Sequence, residues 1–240
     1  MAANREIMDA SGAPFVSESE LAAPVEAWLR QVGSSCIGRE VEVGFGIPDL
    51  VAGVGTGRSL KNRRRQAGPI TNAIQLAVLE FCKVTRTESE LREWAPNGFY
   101  ELNRRALARL IKDDLLVASA EKFRSRVNPK DPFESLIAVE LKLSDVGRGL
   151  AQAHAYRAFA DVSYLALPAP KVTPPTMARA REIGVGLLAV HRGLVEETVE
   201  PDPESFATPG RRRMASEQTL AAHAQGAFRT AGSPRANMMR

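Results

Sequence analysis

The sequence predicts an α/β fold, a mixed central sheet flanked by helices and interrupted by an inserted module. Three observations predict it. Apolar residues alternate between helical and strand periods in the order α-β-β, a long interruption, then β-α-β-α-β-β, which implies a mixed sheet. Residues 135–143 are too apolar for a half-exposed strand and suit a central one. Charge is also unevenly spread. The chain has a net charge of +4, but residues 57–130 carry 16 Lys/Arg against 8 Asp/Glu, a net +8, leaving −4 for the rest. Such asymmetry suggests a module with its own partner.

Taken in order, residues 1–16 form an N-terminal arm. A first helix follows over residues 18–32, where Leu21, Val25, Trp28, Leu29 and Val32 recur at helical period. Ser17 and Glu20 before it have capping-box spacing. Residues 40–43 and 46–54 are expected to be strands joined by a turn at Gly44–Gly46. The interruption opens with the basic linker Lys61-Asn62-Arg63-Arg64-Arg65. Helices are predicted over residues 70–84, 87–94 and 99–112, the second with a capping box at Thr87 and Glu90, and a hairpin over 115–119 and 123–127. Three helices and a two-stranded wing resemble a winged helix-turn-helix.

After the module come a strand (135–143), a helix (145–160), a strand ending at Pro168 (162–167), a helix (175–183) and two strands (185–191, 194–199). The core sheet and its helices are thus expected over 17–56 and 131–200, with the module at 57–130. Beyond Pro201 the composition is rich in Pro, Gly, Arg, Ser and Ala. Residues 201–240 are expected to be a disordered basic tail, with a short helix near 217–227 as the exception.

Composition excludes several classes. At 44% hydrophobic and 25% charged the chain matches an ordinary globular protein. No run approaches the roughly 20 apolar residues of a membrane helix. Residues 1–10 contain Arg5, Glu6 and Asp9 and lack a signal-peptide core, so a cytoplasmic location and no membrane partner are expected. Cys36 and Cys82 have no CxxC spacing, and the three histidines are scattered, which leaves no recognisable zinc site.

The residues with chemical potential are Pro48-Asp49 and Glu140-Leu141-Lys142. In a strand, Glu140 and Lys142 point one way while Val139, Leu141 and Leu143 point the other. Charges in so apolar a strand need a partner or a metal. Asp49 faces the same problem between Ile47 and Val51, with Leu50 and Ala52 opposite. If the two strands are neighbours, two carboxylates and an ammonium converge, a donor set that suits Mg²⁺. The bland alternative is an exposed polar face with a surface ion pair.

Pro48-Asp49 with Glu140-x-Lys142 resembles the signature of the PD-(D/E)xK nucleases, the superfamily of many restriction endonucleases and Holliday-junction resolvases. Glu18-Ser19-Glu20-Leu21, Ala138 to Leu143 and the segment from Ala155 to Pro168 resemble an uncharacterised bacterial branch of it. The resemblance covers residues 17–54 and 133–199. It implies a restriction-endonuclease-like fold, into which the winged-helix module would be inserted between the second and third strands. It also implies a Mg²⁺-dependent phosphodiesterase, with Mn²⁺ as a substitute, acting on DNA. Asp49, Glu140 and the backbone carbonyl of Leu141 would hold the metal, and Lys142 would orient water or steady charge. Glu18 matches the first-helix Glu that often completes the site, though a carboxylate serving the helix dipole is its equal alternative. Gln152, one turn before Tyr156, matches a Gln that lies beside the active site in resolvase-like relatives, with a solvated Gln as its alternative. The departure from the pattern is spacing. Asp49 and Glu140 are 91 residues apart, which an inserted domain would explain.

In the module, Phe99, Leu102, Ala106 and Leu110 form a core stripe. Tyr100, Asn103, Arg104 and Arg105 on the third helix, Lys122 and Arg124 on the wing, and Arg63 and Arg64 in the linker are the candidate DNA contacts. A winged helix that instead makes a homodimer or protein contact is the alternative. The whole chain also admits two other readings, a non-catalytic DNA-binding regulator and a nuclease of structured RNA.

Overall fold

The computed structural model describes residues 14–44, 46–55, 68–95, 99–127, 131–203 and 206–231, with backbone alone for 99–103 and 227–231. Helix α1 (Glu18–Gln31) is followed by strands β1 (Ser34–Arg39) and β2 (Leu50–Val54). Helices α2 (Ala73–Phe81), α3 (Glu88–Trp94) and α4 (Phe99–Lys112) follow, with the short strands β3 (Arg86–Thr87), β4 (Leu116–Ser119) and β5 (Lys122–Ser125). The chain then continues through β6 (Ser135–Leu141), α5 (Val146–Tyr156), β7 (Val162–Pro168), α6 (Pro174–Glu182), β8 (Gly186–Val190), β9 (Val195–Val199) and α7 (Pro209–Ala231).

Six strands form a mixed sheet in the order β1-β2-β6-β7-β8-β9. β1, β2 and β6 are antiparallel neighbours, β6, β7 and β8 run parallel, and β9 returns antiparallel. The expected α/β class and flanked mixed sheet are therefore present. β6 lies between β2 and β7, so its burial on both faces follows from position. The stripe Leu21, Val25, Trp28 and Leu29 of α1 packs on one face against Leu50, Val139, Leu141 and Tyr164. The other face is covered by α5, α6 and α7, through Tyr156, Phe159, Ala215 and Leu220 over β1, β2 and β6, and through Leu150 and Ala180 over β7 and β8.

The long interruption between β2 and β6 has a hydrophobic core of its own. Leu76, Leu79, Leu91, Leu107, Leu110 and Leu116 are buried together beneath the small sheet β3-β5-β4. Thr87 caps α3 with the full capping box, its hydroxyl accepting from the Glu90 amide while Glu90 accepts from the Thr87 amide. β4 and β5 form the expected hairpin, with β3 as a third strand. In α4 the stripe holds at Ala106 and Leu110 and gains Leu107, while the side chains of Phe99 and Leu102 lie outside the described residues.

Three expectations are corrected. The first strand is Ser34–Arg39, not residues 40–43. Glu40 adopts φ 48°, a left-handed conformation that ends the ladder. The chain still folds back as a hairpin, because the Glu40 and Val41 amides donate to the Asp49 and Pro48 carbonyls. The capping box at Ser17 does not form: Ser17 makes no side-chain cap, and the Glu20 carboxylate instead accepts from the Val16 amide and pairs with Arg192 at 3.1 Å. Within the expected disordered tail, Pro209–Ala231 is a long helix. It lies close on β1: a Cβ built at Gly38 would come within 3.0 Å of the Ala222 Cβ, and Ser216, Glu217 and Thr219 are fully buried.

Candidate functional site

The β2–β6 ladder pairs Leu50 with Val139 and Val51 with Ala138. Extended by one residue, this antiparallel register carries Asp49 to a place opposite Glu140. A separation of 91 residues in sequence becomes adjacency in the sheet, because the module leaves after β2 and returns before β6. The Asp49 carboxylate accepts the Leu141 amide at 2.7 Å. Alternation along β6 then sends Glu140 to the α5 face while Val139 and Leu141 pack beneath α1.

Glu140 is only 2% exposed, so each oxygen needs a donor. Oε1 accepts the Lys142 ammonium at 2.6 Å, and Oε2 accepts the Tyr156 hydroxyl at 2.6 Å. Lys142 also reaches the Leu141 carbonyl at 3.3 Å and lies 3.8 Å from Glu18 Oε2. α1 therefore brings Glu18 to the same end of the sheet, and the first-helix carboxylate joins the group. It also stands in the first turn of α1, where a carboxylate favours the helix dipole.

The electrostatics follow from burial and crowding. Burial raises the Asp49 pKa to about 6, opposed by the Leu141 amide and reinforced by the charge of Glu140. Burial alone would lower Lys142, but the hydrogen bond and charge of Glu140, with Glu18 and Asp49 behind it, hold it above its usual value. Burial and then the Glu140 hydrogen bond push the Tyr156 phenol far up, so it remains a proton donor.

Two further residues shape the site. Gln152 lies one turn before Tyr156 and beside its hydroxyl. Among the described residues, the buried Oε1 of Gln152 has no hydrogen-bond partner. Gly149 is a helix-interior glycine because the Lys142 stem crosses it: a Cβ there would lie 2.9 Å from Lys142 Cγ and 2.7 Å from Leu165 Cδ1. The hydrogen bond from Tyr156 to Glu140 is the contact that residue patterns did not reveal. Its only signal was the one-turn spacing from Gln152 on an otherwise apolar helix face.

Among the described residues, no three His, Cys, Asp or Glu side chains gather into a metal-binding group. The site offers two carboxylates and a backbone carbonyl together, with Glu18 beside the ammonium.

The candidate nucleic-acid contacts lie elsewhere. Arg104 and Arg105 are exposed on α4, and Lys122 and Arg124 are exposed on the same face of β5. Tyr100 and Asn103 belong to α4, but their side chains, like the whole of Arg63 and Arg64, lie outside the described residues. Among the described residues, no helix is long and apolar enough to cross a membrane.

No protein-family model and no curated protein matches the chain. A solved structure, a protein of unknown function from Silicibacter pomeroyi, is similar over 57% of this chain and 92% of its own length, at 20% identity and a TM-score of 0.33.

Proposed function

We propose that the chain is a metal-dependent DNA nuclease of the PD-(D/E)xK kind, with a restriction-endonuclease-like core and an inserted winged helix that binds the DNA. The observation that carries this reading is the β2–β6 register, which sets Asp49 beside Glu140 and Lys142 across a 91-residue separation. Surface ion pairs seldom involve a carboxylate that is 2% exposed, and a charge buried on a central strand marks a candidate functional group.

The residues fit a Mg²⁺ ion. Mg²⁺ is commonly held by one or two carboxylates and completes its shell with water and substrate phosphate, so three His, Cys, Asp or Glu ligands are not required. Asp49 and Glu140 would hold it with the Leu141 carbonyl. When bound, the ion supplies Lewis-acid stabilisation of the phosphate and a more acidic water. The chain supplies the rest. Tyr156 holds Glu140 in place, and the Lys142 ammonium donates to the charge that grows on the phosphate oxygens. Hydrolysis forms one bond from water oxygen to phosphorus and breaks one phosphorus–oxygen ester bond, the water proton being passed to the leaving oxygen through solvent. Arg104, Arg105, Lys122 and Arg124 support the DNA reading through their exposure and charge, which suit phosphate contacts.

The test is cleavage of duplex DNA, single strands and structured RNA with and without Mg²⁺. Activity that needs Mg²⁺ and falls at least about 100-fold in both Lys142→Ala and Asp49→Asn is expected. Cleavage equal to the parent in both variants would overturn the assigned site. DNA binding that persists in EDTA, with no cleavage of any substrate, would favour a regulator on a nuclease-like scaffold.

A further inference from the structure

We infer that the Lys142 ammonium is the resident cation of the Asp49–Glu140 site, and that a divalent metal binds by exchange with it. This rests on the nuclease reading above and adds how the site is regulated. Two of the three groups assigned to the metal already meet the ammonium, Glu140 Oε1 at 2.6 Å and the Leu141 carbonyl at 3.3 Å, and Glu18 Oε2 stands 3.8 Å away. The second Glu140 oxygen is taken by Tyr156 and one Asp49 oxygen by the Leu141 amide. Both oxygens of Glu140 thus already have a donor, and two cations this close repel each other.

Lys142 is not sealed into the site. Its side chain is 13% exposed, so it stands at the rim of the site rather than beneath it. The present path of its stem depends on Gly149, where a Cβ would lie 2.9 Å from Lys142 Cγ. A four-carbon stem with a strongly hydrated head swings readily from an internal carboxylate to a phosphate at the mouth. In this exchange the carboxylates pass from ammonium to metal, and the ammonium passes from carboxylate to substrate. Buried Glu140 is never left unpaired. Substrate and metal then help each other bind, since each favours the same displaced position of Lys142, and the coupling is reciprocal.

Mn²⁺ binding to the full chain, measured by titration calorimetry at pH 8 in the absence of nucleic acid, tests this. Lys142→Met removes the competing charge and is expected to bind Mn²⁺ about tenfold more tightly than the parent. Lys142→Gln, which keeps a donor for Glu140, serves if the Met variant does not fold, and is expected to change affinity in the same direction. An uncleavable phosphorothioate duplex should tighten Mn²⁺ binding to the parent more than to either variant. Equal or weaker Mn²⁺ binding in the variants, with a parent that binds Mn²⁺ and cleaves DNA, overturns the exchange and leaves the nuclease reading standing. Mn²⁺ binding to none of the three proteins, with or without the duplex, overturns both.

Discussion

Two carboxylates on neighbouring strands lose water and repel one another, and Asp49 shows both effects. Its pKa rises from 3.8 to about 6, so the folded chain holds this proton more tightly than the unfolded chain does. Stability from this group is complete below about pH 4 and is lost as pH rises through 6, and a shift of about two units corresponds to about 3 kcal/mol. Asp49→Asn, which keeps an acceptor for the Leu141 amide, is therefore expected to be more stable than the parent at pH 7 by about 1–3 kcal/mol. The gap should close as pH falls towards 4. Denaturant unfolding in EDTA at pH 4, 5.5 and 7 measures it, and a variant less stable at pH 7 would show that the Leu141 amide and the Lys142 charge stabilise the ionised carboxylate by more than its burial costs. Tyr156→Phe acts in the opposite direction. It removes the donor from a buried carboxylate oxygen, and a loss of about 1–3 kcal/mol is expected in the same assay.

At the scale of elements, α7 holds the molecule together where the inserted module joins it. Arg212 bonds both oxygens of Asp161, pairs with Asp131, and donates to the carbonyls of Phe133 and Glu134. Ser216 adds a bond to Asp131, and buried Glu217 accepts the Ile70 amide from the other crossing. Arg212→Ala leaves Asp161 and Asp131 half-paired, and a loss of about 3 kcal/mol is expected. Faster amide exchange over residues 131–136 and near Ile70 should accompany it, whereas a purely local role would leave Ile70 protected. Only a short piece of this helix, near residues 217–227, was legible in the sequence, for a physical reason. Leu220 apart, the side chains it buries are small or polar, Ala215, Ser216, Thr219 and Glu217, so its packing face resembles a low-complexity tail. The helices and strands after residue 135 were legible because Leu, Val and Ile mark their periods. β1 was misplaced because Glu40 to Val43 alternates like a strand, while the backbone turn at Glu40 leaves no trace in polarity. Of the site, the charged residues were legible as charges stranded in an apolar run. Their convergence was legible only on the condition that the two strands are neighbours, because the register that meets it forms across the whole insertion.

At the scale of the whole molecule, the charge partition becomes a spatial one. The module with net +8 presents Arg104, Arg105, Lys122 and Arg124 at its surface, while the remainder carries −4 and the buried carboxylates of the site. An acidic core repels a polyanion, so a nuclease built this way needs the inserted module to supply the attraction, and the affinity it supplies is mostly counterion release. Each phosphate contact contributes about 0.9 to the slope of log affinity against log salt. Reversing Arg104 and Lys122 to Glu is therefore expected to lower the slope by about 2 and to weaken duplex binding at 0.1 M salt by at least tenfold. Mn²⁺ binding should not change, because neither residue contacts the Asp49–Glu140 group. Filter binding at several salt concentrations reads the first effect and calorimetry the second. If the slope were unchanged while the chain lost a dimer in sedimentation, the module's basic face would be a surface for a second copy, and the attraction for DNA would have to be sought elsewhere on the chain.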